Sequence, residues 1–183
     1  MSDVVLALDI SLAACAMVAI PEDWAGDWSR IGRMTIGDSL PKGASEEFRI
    51  GRLHRITVDV VAFAHRHRCS VAVAEGYAFG AKFERERLGE IAGAVKLQLA
   101  LQAGLVVERL IAPMTARKLM LGENPKENPK RVVRDHLRAR GMPLVWTEGE
   151  VDAFCVGNVK LVELGASAFV TPVPEKKSRR RAA

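Results

Sequence analysis

The chain opens on "DVVLALDISLAACAMVAI", Asp3 to Ile20, a long apolar run with one interior charge, Asp9. Such a run predicts a buried strand that continues into a hairpin partner. "PEDWAGDWSR" then brings turn residues and two tryptophans, and "IGRMTIGDSLPKGAS" reads as a third short strand followed by a loop. From Ser45 the spacing becomes helical. Phe48, Leu53, Ile56, Val60 and Phe63 form one apolar stripe, and Glu46 and Glu47 sit in the first turn, where the helix dipole favours them. "CSVAVAEGYAFG" is a buried strand that ends at Glu75. A second helix, roughly Glu84 to Ala103, carries Leu88, Ile91, Val95 and Leu99 on one face and stops at Gly104. Its Gly89 and Gly93, four apart, leave room for another helix, such as one from a second subunit. "LVVERLIAP" is the next strand, ended by Pro113. Thr115 is expected to cap a short helix through Leu121, and Asn128 followed by Pro129 starts a helix that runs to Gly141. The last helix starts near Gly149 and carries Val151, Phe154, Cys155, Val159 and Val162 before Gly165.

Strands first, then helix, strand, helix, strand and helices describe an α/β domain with a mixed sheet. At 183 residues this is one domain, spanning 1–168, with 169–183 a basic tail expected to be disordered. With 49% of residues apolar and 27% charged, wholesale disorder is excluded. Cys15, Cys69 and Cys155 lie in apolar segments without the paired spacing of a zinc site or a disulfide framework, and read as reduced core thiols. No apolar stretch reaches the roughly 20 residues of a membrane span and no secretory signal opens the chain, so a cytoplasmic protein without membrane association is predicted.

The formal net charge of +5 is unevenly placed. The tail from Glu175 to Ala183 carries a net +4, and Met114 to Arg140 carries +5 through Arg117, Lys118, Lys126, Lys130, Arg131, Arg134, Arg138 and Arg140 against three acids. The remainder is mildly acidic. Two basic segments on an acidic body suit a polyanion gripped at defined places, and nucleic acid is the commonest such partner.

Asp9 is the one charge within a buried run, Glu75 the first charge after "VAVA", and Asp152 stands at the start of the last helix. Buried carboxylates are costly unless paired or bound to metal. If the two strands are neighbours, Asp9 and Glu75 reach the same sheet edge, and Asp152 adds a third carboxylate from another element. Three carboxylates on rigid elements form a hard-oxygen site suited to Mg²⁺ or Mn²⁺. The layout is that of phosphodiester hydrolysis assisted by two ions roughly 4 Å apart.

These segments resemble the RuvC-like Holliday-junction resolvases of the ribonuclease H-like superfamily, in particular the bacteriophage branch. The resemblance runs from about Val4 to Leu164: "LALDIS" with Asp9, "VAVAEGYAFG" with Glu75, "APMTARKLMLG" with "NPKRVVRDHL", and "EVDAFCVGN" with Asp152 as final ligand. It implies a ribonuclease H-like fold with a mixed five-stranded sheet flanked by helices. It also implies a homodimer that binds four-way junctions, and other branched DNA, and nicks two strands symmetrically with Mg²⁺ or Mn²⁺. By position, Arg117 and Lys130 match basic residues that act near the scissile phosphate, with Lys118 and Lys126 as neighbours able to substitute and Arg131 and Arg134 as further DNA contacts. Tyr77 and Phe79 flank the position of an aromatic wedge.

The sequence departs from the family in one place. The family carries an acid three residues before the final aspartate, and here that residue is Gly149. Glu148 lies on the Asp152 face if the helix has begun, and is the expected fourth ligand; Glu150, roughly 200° away, is expected to be a solvated charge. A catalytically silent junction-binding module and a related RNA-processing nuclease stay open beside the endonuclease. His54, His65, His67 and His136 are assigned no metal, and Trp24 and Trp28 are expected to cover the sheet or a loop.

Overall fold

The structure, a computed structural model, describes residues 2–37, 39–76, 85–166 and 169. Its elements are β1 (Val4–Ile10), β2 (Ala14–Pro21), β3 (Gly32–Gly37), α1 (Glu46–Arg66), β4 (Val71–Glu75), α2 (Arg85–Ala103), β5 (Val107–Ile111), α3 (Pro113–Leu121), α4 (Pro129–Arg138) and α5 (Glu148–Glu163). The five strands form one sheet in the order β3-β2-β1-β4-β5. β2 runs antiparallel to both β1 and β3, whereas β4 runs parallel to both β1 and β5. The mixed five-stranded sheet is therefore as expected.

Helices cover both faces of the sheet, which is why β1 is apolar throughout and does not alternate. Leu6, Leu8, Met17, Ala72 and Ala74 pack with Ile56, Val60 and Phe63 of α1 and Ile91, Val95 and Leu99 of α2. On the other face Val5, Ala7, Val18, Ile20 and Val73 pack under Val151, Phe154 and Cys155 of α5 and Ala116 and Met120 of α3. The period of two thus assigns Asp9 to the α5 face with Val5 and Ala7, and Glu75 to the same face with Val73. Parallel pairing of Leu8 with Ala74 makes Asp9 and Glu75 the next residues along their strands, at one end of the sheet.

α5 is buried almost continuously from Glu150 to Asn158, and glycine lets it lie close to the sheet. A Cβ on Gly157 would stand 2.6 Å from Ile20 Cδ1 and 2.9 Å from Ala7 Cβ. Its far end is tied to β5 by Lys160 to Glu108 at 2.7 Å and by the Arg109–Glu163 ion pair. Asn158, fully buried, donates from Nδ2 to the Phe169 carbonyl and accepts from the Phe169 amide, both at 3.0 Å. Phe169, which the sequence places in the tail, thereby enters a cluster with Trp24, Trp28 and Phe154. Both tryptophans pack against Phe154 of α5, and Cys15 and Cys155 are buried core thiols while Cys69 is half-buried.

Several local expectations are corrected. Phe48 is 42% exposed, and Arg52 is buried in its place, its guanidinium donating to the Leu12 carbonyl at 2.6 Å in the β1–β2 turn. Thr115 lies inside α3: the helix begins one turn earlier because Pro113 occupies its first position, with Ala112 as cap. α4 does start at Pro129, with Asn128 in the left-handed region, and ends at Arg138. Among the described residues no helix is long and apolar enough to cross a membrane.

Candidate metal centre and its basic surround

Asp9 and Glu75 reach the same sheet end, and the first turns of α5 lie across it, bringing Asp152. One carboxylate oxygen from each of the three lies within 4.8 Å of the others, and among the described residues no other cluster of His, Cys, Asp or Glu could hold a metal ion. The histidines are accordingly outside it. His67, for one, packs against the Phe63 ring at 4.4 Å, and its burial lowers its pKa.

The cluster is electrostatically tense. Burial, followed by the charges of Asp9 and Asp152, pushes the Glu75 carboxyl up to about 8. Burial and the Asp152 charge also raise Asp9, opposed by a hydrogen bond that Glu75 donates to it. Three hard oxygen donors that repel one another in a half-buried site fit a small divalent cation, which removes the repulsion. Asp9, Glu75 and Asp152 are the residues that would hold it.

Basic side chains surround Asp152, which is 6% exposed. Arg117 of α3 donates from Nη2 to Oδ1 at 3.1 Å, and Lys130 of α4 places Nζ 3.1 Å from Oδ2. Partial burial works against the Lys130 charge, but the carboxylates of Asp152, Glu148 and Asp9 outweigh it and hold the ammonium above the ordinary lysine range. The two basic residues singled out near the scissile phosphate thus both contact the final carboxylate. Arg134 is one turn further along α4. Lys118 and Lys126 are exposed and pair with no described carboxylate, and Arg131 is 80% exposed, 3.6 Å from Asp135. Tyr77 and Phe79 lie outside the described residues.

The residues from Glu148 to Glu150 separate clearly. Glu148 stands outside the carboxylate cluster: its side chain is 57% exposed, with Oε1 accepting from Arg134 at 2.7 Å and Oε2 3.8 Å from Lys130. At Gly149 a Cβ would lie 2.8 Å from Ala16 Cβ and 3.3 Å from Asp9 Oδ2, so the Ala16 and Asp9 side chains already occupy the space an acidic side chain would need. Glu150 overturns its expectation. It is 2% exposed, because α5 lays its first turn against the edge strand β3. There Oε2 accepts from Arg33 Nη1 at 3.0 Å and from the Thr147 amide at 2.9 Å, closing a capping box with Thr147. Thr147 followed three residues later by Glu150 is the sequence signature of that box, and it was the available signal. Nothing local to the sequence pointed to Arg33 or Thr35.

Sheet order, register and the carboxylates at the ends of β1 and β4 and the start of the last helix define an α/β chain of ribonuclease H-like fold with a three-carboxylate cluster. Two solved structures share this fold. Thermus thermophilus RuvC is 19% identical, with a TM-score of 0.65 over 90% of this chain and 98% of that one. T. thermophilus RuvC in complex with Holliday junction substrate is likewise 19% identical, with a TM-score of 0.65 over 91% of this chain and 98% of that one. No family model and no curated protein matches the sequence.

Proposed function

We propose that the chain is a metal-dependent, structure-selective DNA endonuclease that resolves Holliday junctions by paired symmetric nicking, and that it also cuts other branched DNA. The observation that carries this reading is the Asp9–Glu75–Asp152 cluster with Arg117 and Lys130 on its last member, set in a fold shared with RuvC. Bound Mg²⁺ or Mn²⁺ would supply Lewis acidity toward the phosphodiester and lower the pKa of water. Asp9, Glu75 and Asp152 hold that charge in place, and Arg117 and Lys130 are positioned to neutralise negative charge developing on the phosphate. Lys118 of α3, Lys126 of the connection that follows it, and Arg131 and Arg134 of α4 extend the basic surface and contact DNA backbone. A homodimer would present two such sites to a four-way junction. The outer face of α2 supports one, since Leu97 and Leu101 are 56% and 67% exposed and a Cβ on Gly89 or Gly93 would meet nothing within 4 Å.

The test pairs a synthetic mobile four-way junction with a simple flap, each incubated with Mg²⁺ or Mn²⁺. Wild type is expected to produce paired nicks in the junction and Asp9→Asn none. Equal cutting by Asp9→Asn would sink the assigned chemistry. Gly149 favours a second reading, a junction-binding module that does not cleave, because it leaves the cluster one acid short of the family pattern. Junction binding without products across both metal titrations would select it.

A further inference from the structure

Glu150 is a buried charge that the proposed chemistry does not use, two residues before Asp152. Both of its oxygens are committed: Oε2 to Arg33 and the Thr147 amide, Oε1 to the Thr35 hydroxyl at 3.2 Å. The hydroxyls complete a ring. Thr35 spends its single proton on Glu150, so in the 3.0 Å contact between the two hydroxyls Thr147 must donate, while Thr147 accepts from the Glu150 amide at 3.2 Å. Arg33, held by Glu150, also places its guanidinium 5.9 Å from the centre of the Trp146 ring, just before the helix.

The placement of this ring on the sheet gives it a consequence. Thr35 is paired with Ala16, and Ala16 with Asp9, so the three form one row across β3, β2 and β1. The first turn of α5 lies along that row: Thr147 and Glu150 on Thr35, Gly149 against Ala16 and Asp9, and Asp152 on the far side with Asp9 and Glu75. On a regular helix Glu150 and Asp152 point about 200° apart, so one fastens the turn while the other faces the cluster.

We infer that Glu150 is a positioning residue for the metal centre: by clamping the first turn of α5 to Arg33 and Thr35 of β3, it sets the reach of Asp152 toward Asp9 and Glu75. The inference rests on the proposed metal centre. It assigns Arg33 and Thr35, on an edge strand that carries no ligand, to the support of one. Residues that orient ligands without touching the ion are commonly worth about 10- to 100-fold in metal affinity.

The experiment is Mn²⁺ titration of the full chain by calorimetry, with melting temperatures of the same samples without metal. Glu150→Ala is expected to weaken Mn²⁺ binding about tenfold or more, and Glu150→Gln, which can still accept from Thr147, to recover part of it. Asn158→Ala, on the same helix but holding Phe169, is the control: it lowers the melting temperature and leaves Mn²⁺ affinity at the wild-type value. If Glu150→Ala does not fold, Thr35→Val, which breaks the ring at one hydroxyl, must show a smaller loss in the same direction. Folded Glu150→Ala with wild-type affinity, or an equal loss in Asn158→Ala, overturns the inference alone. Absence of Mn²⁺ binding by wild type overturns the metal centre and the inference with it.

Discussion

Glu75→Gln is predicted to make the metal-free protein more stable while removing its capacity to bind metal. The carboxyl of Glu75 titrates near 4.5 when unperturbed and is pushed up to about 8 in the fold by burial and by the charges of Asp9 and Asp152. Between those values the folded chain holds a proton that the unfolded chain has released, so stability falls as pH rises through the window. Below it both states are protonated, and above it both are ionised and the penalty is constant. At 1.36 kcal/mol per unit, the penalty grows by at most about 4 kcal/mol between pH 5 and pH 8. For a chain of this size that corresponds to about 10 °C in Tm. Glutamine has no charge to titrate and can still donate to Asp9, so the variant lacks the penalty and keeps the hydrogen bond. The assay is thermal unfolding of wild type and variant in EDTA at pH 5 and pH 8. The difference between the two proteins cancels titrations remote from the cluster, including those of His67 and His136. The variant should melt close to wild type at pH 5 and well above it at pH 8. Saturating Mn²⁺ should then narrow the gap at pH 8 by raising wild type alone, by about 2.7 kcal/mol at one hundred times Kd. A Tm difference that does not change with pH, or a variant less stable at pH 8, would refute the picture of a mutually repelling buried cluster.

Three further outcomes follow from other contacts. Gly149→Ala places a methyl 2.8 Å from Ala16 Cβ and 3.3 Å from Asp9 Oδ2, and should cost about 1–3 kcal/mol in urea unfolding; an unchanged midpoint would mean that α5 does not approach the sheet this closely. Arg134→Ala should weaken junction binding uniformly across DNA sequences and reduce the slope of log affinity against log salt by about 1 in fluorescence anisotropy. The same slope as wild type would remove this residue from the DNA face. Asn158→Ala leaves the Phe169 backbone without its two partners, a loss of about 1–3 kcal/mol for an unsatisfied buried group, and should change tryptophan emission because Phe169 packs against Trp24 and Trp28; unaltered emission and midpoint would show that the docking carries no stability.

The carboxylate cluster was legible in the sequence because each member breaks a local pattern. Asp9 interrupts an apolar run, Glu75 ends one, and Asp152 stands where a helix turns apolar, so strand alternation and sheet order suffice to bring them together. Glu150 broke no pattern. Helical periodicity correctly turned it away from Asp152, but it could not say what lay on the other side. That depends on Arg33 and Thr35, more than a hundred residues earlier, on a strand whose place at the sheet edge is a tertiary fact. The reading of Phe48 erred for the same reason. Stripe spacing treated the phenylalanine as core, whereas the β1–β2 turn offers a carbonyl that only Arg52 can use. The start of α3 was a different kind of error, since Pro113 at the first helical position was the stronger signal than Thr115.

Gly149 takes on a different meaning once these contacts are in place. As sequence it is a missing acid; in the fold it is the point where helix backbone comes against β1 and β2, with its neighbour Glu150 clamped to β3. The charge balance agrees with that reading. Glu75 is pushed up to about 8 and Asp9 is raised as well, while Lys130 and Arg117, both in contact with Asp152, set positive charge beside the cluster. A fourth carboxylate at position 149 would leave the metal-free cluster with an unmatched buried charge, in addition to the steric conflict. Glu148 meanwhile lies outside it, paired with Arg134 and near Lys130, where its charge helps to keep both side chains beside the cluster. The basic residues that quiet the cluster without metal are therefore the ones within reach of a phosphate brought to it.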